Sequence, residues 1–494
     1  MIEIKINKAG GPEIIKTETG PSLFDILRQN GYSVYAPCGG KGTCGKCLVT
    51  IAGKGSVLSC KYFPQENIEV ILPKTKEARI LVNQTKFLED CPFNPSHHPV
   101  SSPSYGVAID IGTTTVVLYF LNMESGEIEE ISPLLNPQRH YGADVITRIN
   151  YCQEHGPGLN ELQQSIIGAI NASLDSFGKK KKISSGNFEK IIVAGNTTML
   201  HLLLGVNPVS IALAPFRPVF TEKQILKGSS TGFHISSEAD VVTLPCLSAY
   251  VGADIVAGLA AIKSPHKNYL FLDIGTNGEM ALVSDGEIVS CATAAGPAFE
   301  GGNISCGMGA VIGAIAGFSG PDQYQVIGNT PPKGICGSAI IDIVAWLVKN
   351  DRVDETGELK ETFIIHPENN IQVVQQDIRE IQLAKSAIYS GIKILMAQTG
   401  LTFDDIDALY LAGGFGNYIN IPSAIQIGLL PYKLRKVTFA VGNSAGIGTL
   451  QYLKSEAFEK KAHTIFQTAR YIELSNVDEF AMEFAINMNF TKNF

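Results

Sequence analysis

No stretch of this 494-residue chain reaches 18 uncharged apolar residues, so no membrane span is expected. The richest candidate, residues 243–262, is interrupted by Asp254 and is rich in glycine and alanine. The amino terminus, Met1-Ile2-Glu3-Ile4-Lys5-Ile6, alternates like a strand and lacks the apolar core of a secretory signal. A cytoplasmic location is the expectation. A basic excess is also missing. The net charge of −8 argues against a nucleic-acid binder. There is no G-x-x-x-x-G-K-[ST] segment, which excludes a P-loop enzyme by its own signature. Six of the ten cysteines (Cys91, Cys152, Cys246, Cys291, Cys306 and Cys336) have no ligand spacing and read as buried thiols. With 45% hydrophobic and 17% charged residues the chain should fold, and its length calls for two to four domains.

What is present is a short phrase written twice. Ala108-Ile109-Asp110-Ile111-Gly112-Thr113-Thr114-Thr115-Val116-Val117 has a counterpart in Phe271-Leu272-Asp273-Ile274-Gly275-Thr276-Asn277-Gly278-Glu279-Met280. Each is an apolar β-branched run, an acid, a glycine, small polar residues and a second apolar run, hence strand, tight turn, strand. Bare turn N–H groups suit phosphate oxygens, and a nearby carboxylate can hold a bridging metal ion. One copy is common hairpin chemistry. Two copies, each followed by a strand ending in Ala-Gly (Ala194-Gly195-Asn196 and Ala412-Gly413-Gly414-Phe415-Gly416), imply two related lobes.

Residues 1–75 read as a separate module carrying nine Lys/Arg against six Asp/Glu, so the acidic excess lies in the rest of the chain. Strands 2–7 and 13–17 form a hairpin, Ser22 caps a helix that Gly31 ends, and strands follow at 48–51 and near 68–72. Cys38, Cys44, Cys47 and Cys60 lie between them with spacing C-x5-C-x2-C-x12-C. Four thiolates match a [2Fe–2S] cluster, and the loop glycines let backbone N–H groups wrap its inorganic core. A zinc site would more often show two CxxC pairs. The hairpin, helix and Cys-Gly-Gly-Lys-Gly-Thr-Cys-Gly-Lys-Cys loop resemble ferredoxins of the plant and adrenodoxin group. The five-residue first gap is closer to the adrenodoxin side, and Cys60 follows Cys47 more closely than in most of those proteins.

A proline- and serine-rich connector, residues 76–105, leads to the duplicated part, which resembles the superfamily of acetate and sugar kinases, Hsp70 and actin. The resemblance implies an α/β multidomain chain. A small β-grasp ferredoxin-like domain (1–75) and the linker precede two ribonuclease-H-like lobes, 106–268 and 269–494, the second with a C-terminal connecting helix. It places Asp110 and Gly112, Thr113, Thr114 and Thr115 in the first phosphate loop, and Gly195 and Asn196 count among the cofactor-binding residues. Asp273, Gly275, Thr276, Asn277, Gly278 and Glu279 fall in the second. Gly413, Gly414, Phe415 and Gly416 fall in the adenosine turn. ATP would lie between the lobes, with Mg²⁺ held through water by Asp110 and Asp273. Asp144, Asp254 and Glu279 are the candidates to orient the attacking water.

An iron–sulfur module joined to such an ATPase resembles the ATP-dependent reductive activators of corrinoid proteins. Matching segments run almost end to end, among them Asn136-Pro137-Gln138, Gly195-Asn196-Thr197-Thr198-Met199, Ala294-Ala295-Gly296-Pro297-Ala298-Phe299-Glu300-Gly301 and Gly442-Asn443-Ser444-Ala445-Gly446. The resemblance implies ATP-coupled return of a Co(II) corrinoid protein to Co(I) in a methyltransferase system, drawing on a low-potential electron donor. Monomer and homodimer stay open. So do two other readings: a dehydratase-type activator with its cluster on cysteines of the ATPase part, and a non-hydrolysing ferredoxin relay.

Overall fold

A computed structural model describes residues 1–8, 11–32, 34, 36, 38–42, 47–72, 87–93, 103–416 and 418–490. In the first module the alternation at the amino terminus does what period two requires. Ile2, Ile4 and Ile6 are buried, while Glu3, Lys5 and Asn7 face outward. Strands β1 (Ile2–Lys8), β2 (Gly11–Thr17), β3 (Leu48–Ile51), β4 (Gly55–Leu58) and β5 (Ile68–Ile71) form one mixed sheet in the order β2-β1-β5-β3-β4. Helix α1 (Leu23–Gln29) lies across it, capped by the Ser22 hydroxyl, which accepts from the Asp25 N–H. Its Leu23, Phe24, Ile26 and Leu27 share a core with Ile4, Ile6, Val49 and Val70. One helix on one mixed sheet is the expected β-grasp arrangement.

The first lobe follows as β6 (Tyr105–Ile111), β7 (Thr115–Asn122), β8 (Ile128–Leu135), α2 (Val145–Glu154), α3 (Gly158–Lys181), β9 (Phe188–Gly195), α4 (Thr197–Leu203), α5 (Val209–Ala212), β10 (Gln224–Lys227), β11 (Asp240–Thr243) and α6 (Ala253–Ala261). Its sheet runs β10-β11-β9-β6-β7-β8. The second begins with β12 (Asn268–Ile274), β13 (Gly278–Ser284) and β14 (Glu287–Thr293). Between these and the closing strands come β15 (Ala314–Gly320), β16 (Gln323–Val326), β17 (Gly334–Ile335), α7 (Gly337–Lys349), β18 (Phe363–His366), β19 (Ile371–Val373) and the long α8 (Gln375–Thr399). The lobe ends with β20 (Ala408–Ala412), α9 (Gly413–Gly416), α10 (Ile421–Gln426) and β21 (Thr438–Gly442). The remaining elements are α11 (Ser444–Lys454), α12 (Glu456–Thr468), β22 (Arg470–Tyr471) and α13 (Asp478–Ile486). The second sheet runs β21-β20-β12-β13-β14-β22.

Without their outer strands both sheets have the same plan. Three antiparallel strands, β6-β7-β8 or β12-β13-β14, are joined on the edge of the first by two parallel ones, β9 and β11 or β20 and β21. This is the ribonuclease-H-like order, once per lobe.

The chain then returns. Helix α11 follows the last parallel strand of the second sheet, yet Ile447 and Leu450 belong to the core of the first, with Val107, Ile109 and Ile192. It crosses α6 so closely that a side chain on Gly448 would come within 2.0 Å of the Ala257 carbonyl oxygen. The small residues of α6 and α11 permit that contact. Part of the stretch read as a connector is also packed. Leu88 and Cys91 are buried, the Glu89 N–H donates to the Ala261 carbonyl at 2.8 Å, and the Cys91 N–H donates to Gln451 Oε1 at 2.8 Å. The segments 73–86 and 94–102 lie outside the described residues. Among the described residues, no helix is long and apolar enough to cross a membrane.

Candidate functional site

The two Asp-Ile-Gly-Thr turns link the first two strands of each lobe, so Asp110 and Asp273 occupy equivalent positions near the ends of β6 and β12. Register places Asp273 directly opposite Glu279 across the β12–β13 hairpin, which puts both carboxyls on one face of the sheet. Gly413 has a left-handed backbone, φ +84°, and a Cβ there would meet Asp273 Oδ1 at 2.3 Å. Only glycine lets the turn Gly413–Gly416 seat against that acid. The next residues bring Phe415 face to face with Phe299, ring centroids 5.2 Å apart and planes 10° from parallel. Asn417, the last residue of the matching segment, lies outside the described residues.

The first turn is braced from several sides. Asn136 Nδ2 donates to the Gly112 carbonyl at 2.8 Å, and Asn196 Nδ2 donates to Thr113 Oγ1 at 3.1 Å while its own oxygen caps α4. Arg148, fully buried in α2, donates from Nη2 to the Thr113 carbonyl at 2.5 Å and from Nε to the Gly142 carbonyl at 3.0 Å. Asn443 Nδ2, at the start of α11, donates to Asp110 Oδ2 at 2.8 Å. One carboxylate joins the two turns. Glu300 accepts from Thr114 Oγ1 at 2.8 Å through one oxygen and from Thr276 Oγ1 at 3.2 Å through the other.

Four acids share this region, and among the described residues none of them has a salt-bridge partner. Burial raises the Asp110 pKa to about 6 against the opposing Asn443 bond. Burial and the charge of Asp110 raise Asp273 to about 7. Asp254, in the first turn of α6, is raised by burial and by the charges of Asp273 and Asp110. Glu279 is raised by burial, Asp254 and Asp273. Carboxylates that oppose one another's ionisation in a buried cleft suit a divalent cation. Among the described residues no three His, Cys, Asp or Glu side chains converge on one point.

Of the three acids considered for water activation, Asp254 and Glu279 join this group. Asp144 does not. Both of its oxygens bond Thr147, through the backbone N–H and the hydroxyl, as the N-cap of α2. Arg148 carries no site signature in the sequence, whereas Asn443 and Glu300 stand in segments that match the family but have no role assigned there.

In the cysteine module, Cys47 and Cys60 sulfurs are 3.2 Å apart, close enough to share one iron and far beyond the roughly 2.05 Å of a disulfide. The Ser59 N–H and hydroxyl both donate to the Cys47 carbonyl and fix this pair. Cys38 is half-buried on the preceding loop, and Cys44 lies outside the described residues. The thiol pair and its ordered backbone suit an iron–sulfur cluster. The other cysteines are dispersed. Cys291 is buried in β14, Cys336 is buried before α7, and Cys306 sits apart with its thiol on the Asn370 carbonyl.

The module rests on the first lobe. Arg28 lies 5.9 and 5.1 Å from the ring centroids of Tyr141 and Tyr151, and Lys41 pairs with Glu154 at 3.0 Å. A Cβ on Gly39 would stand 2.9 Å from the Tyr141 carbonyl oxygen. His140 Nδ1 contacts the Val34 carbonyl at 3.3 Å. Burial, together with the charges of Arg139 and Arg148, lowers the His140 pKa to about 4, against the Val34 bond. A free histidine titrates near 6.5. Docking is therefore fully supported above pH 6.5 and loses free energy as pH falls from there toward 4. Hydrogen exchange across residues 137–142 should accelerate over that range in the wild-type chain and change less in His140→Gln. Equal pH dependence in the two would refute the assignment.

Comparison with known proteins adds the family. Residues 105–266 match the description "RACo middle region", and residues 267–493 match "C-terminal domain of RACo the ASKHA domain". The "Corrinoid activation enzyme RamQ" of Eubacterium limosum is 30% identical over 95% of this chain and 96% of its own length. The "[Co(II) methylated amine-specific corrinoid protein] reductase" of Methanosarcina barkeri is 24% identical over 67% of each chain. The solved structure of a "Reductive activator for corrinoid,iron-sulfur protein" aligns over 100% of this chain and 99% of its own at 27% identity, with a TM-score of 0.72. The chain belongs to the RACo family of reductive activators of corrinoid proteins.

Proposed function

We propose that this protein reduces a corrinoid protein from Co(II) to Co(I) in an ATP-dependent reaction, in the service of a corrinoid-dependent methyltransferase. The observation that carries the ATP part is the meeting of two equivalent turns, Gly112–Thr115 and Gly275–Gly278, around a buried group of four acids. In this reading the turns cradle the β- and γ-phosphates. Asp110 and Asp273 hold Mg²⁺ through water, with Glu279 beside them, and Gly413 to Gly416 support the base. Positioning and charge stabilisation then account for most of the rate.

Cys38, Cys44, Cys47 and Cys60 are the ligands assigned to a [2Fe–2S] cluster, which when bound supplies a one-electron donor. Plant-type ferredoxins have potentials of about −400 mV, and Co(I) is a stronger reductant. Each ~59 mV of one-electron gap costs about 1.4 kcal/mol, so a gap of a few hundred millivolts costs several kcal/mol. Closure of the two lobes on ATP and their opening after hydrolysis would supply it, with α6 and α11 as the sliding contact. The docked cysteine module lies over the turn that Arg148 ties to Thr113, so movement of the first phosphate loop can reach the module.

The test is anaerobic visible absorbance of a methylamine-specific corrinoid protein mixed with this chain and a low-potential reductant. Co(I) should accumulate with ATP and remain several-fold lower with ADP or no nucleotide. Equal yields under the three conditions would remove the coupling.

A further inference from the structure

The acid that prepares water for attack on the terminal phosphate is still unassigned. Asp144 is consumed as a helix cap, and Asp254 and Glu279 belong to the mutually repelling group with Asp110 and Asp273. Glu300 is placed differently. It follows β14 in the short turn Pro297–Glu300, and each of its carboxylate oxygens accepts one hydroxyl, Thr114 from the first phosphate turn and Thr276 from the second. No other carboxylate among the described residues bonds both turns. Any phosphate held between those turns lies beside it. A carboxylate offers about four acceptor sites, so with the two hydroxyls and the Thr276 backbone N–H bonded a site remains for a water proton.

We propose that Glu300 is the catalytic base that orients the water attacking the γ-phosphate, with Thr114 and Thr276 as the clamps that aim its carboxylate. The inference rests on the ATP-dependent reading above. The water oxygen bonds to the γ-phosphorus as the bond to the β–γ bridging oxygen breaks. ADP leaves, and the water proton passes to Glu300, which then returns it to the phosphate product or to solvent. Because the clamps come from opposite lobes, the base is aligned only when the two phosphate turns are together. Hydrolysis thereby becomes conditional on lobe closure. Burial raises the Glu300 pKa while both hydroxyl bonds oppose the rise, a balance that suits a proton acceptor.

Glu300→Gln keeps the size and can still bond both threonines, but cannot accept the proton. Single-turnover hydrolysis of Mg-ATP by the full chain, with and without a methylamine-specific corrinoid protein in its Co(II) form, should fall about 100-fold or more. Affinity for a fluorescent ATP analogue should stay within about threefold. Hydrolysis by Glu300→Gln within about threefold of wild type would overturn the assignment, as would loss of nucleotide binding in that variant. If Glu300→Gln does not fold, Glu300→Ala with added formate replaces it. A saturable recovery of at least about tenfold supports a base, since a structural tie between turns cannot be rescued by a free carboxylate, and no recovery rejects it. A wild-type chain that neither binds nor hydrolyses Mg-ATP in either condition would overturn the functional reading, and this inference with it.

Discussion

Cys60→Ser is expected to retain no more than about a tenth of the wild-type iron and to yield no measurable Co(I), while ATP affinity stays within about threefold. Cys60 lies 3.2 Å from Cys47 at a backbone position held by Ser59, and serine is a much poorer iron ligand than a thiolate. Cys60 packs on the core of the cysteine module, so ATP affinity should be lost only through general unfolding. Cys60 is half-buried at the edge of the β-grasp core of Ile4, Phe24, Val49 and Val70, and serine is close to it in size, so that core should persist. Iron content, the EPR spectrum of the reduced protein and nucleotide titration separate the outcomes. A Cys60→Ser protein that keeps its full cluster would overturn the ligand set.

The second large effect is expected at Arg148. Its guanidinium is fully buried and bonds the Thr113 and Gly142 carbonyls, with Gln138 Oε1 and the Met199 sulfur at 3.4 and 3.0 Å. Burial lowers its pKa to about 9, while Asp144 and Glu300 favour the charge, so it remains a cation at pH 7. Lysine carries the charge but not the fork, and cannot bridge the two carbonyls. Breaking a buried charged network costs about 3–5 kcal/mol, which for a chain of this size lowers Tm by roughly 3–5 °C. The functional loss should be more selective than the thermal one. In Arg148→Lys the iron content and the EPR signal should match wild type at 20 °C, whereas the stimulation of Co(I) formation by ATP should fall about tenfold or more. The carbonyl chain from Thr113 through Gly142 to the Tyr141 turn, on which Gly39 rests, is then broken at its one charged link. Unchanged Tm and unchanged ATP stimulation would show that Arg148 is neither a prop nor a link.

The four buried acids illustrate how stability is exchanged for a binding site. Each would be easier to bury as an amide or an apolar group, since like charges at low dielectric oppose one another. Their retention around the two Asp-Ile-Gly-Thr turns is understandable if a cation enters there, since stability alone gives no reason to bury them together.

Much of the architecture was legible from local pattern. Period-two alternation at Ile2, Ile4 and Ile6, the Ser22 cap, the four-cysteine spacing and the doubled Asp-Ile-Gly-Thr each concern residues within one element or one turn. Backbone geometry converts such patterns directly into structure. The duplicated phrase likewise announced two lobes before any strand order was known. The connector was read less well. Proline and serine near its end were legible, but the burial of Leu88 and Cys91 depends on the edge offered by Ala261 and Gln451, far along the chain. What only the tertiary structure decided has the same character. The return of α11 to the first core, the meeting of Asp273 with Gly413, the bridge of Glu300 between Thr114 and Thr276, and the docking of the cysteine module through Arg28 and His140 all join residues whose neighbours in sequence say nothing of one another. Such contacts are set by sheet register and lobe packing. An isolated arginine in an amphipathic helix, or a glutamate in a glycine-flanked turn, acquires its chemistry only when the fold brings a partner to it.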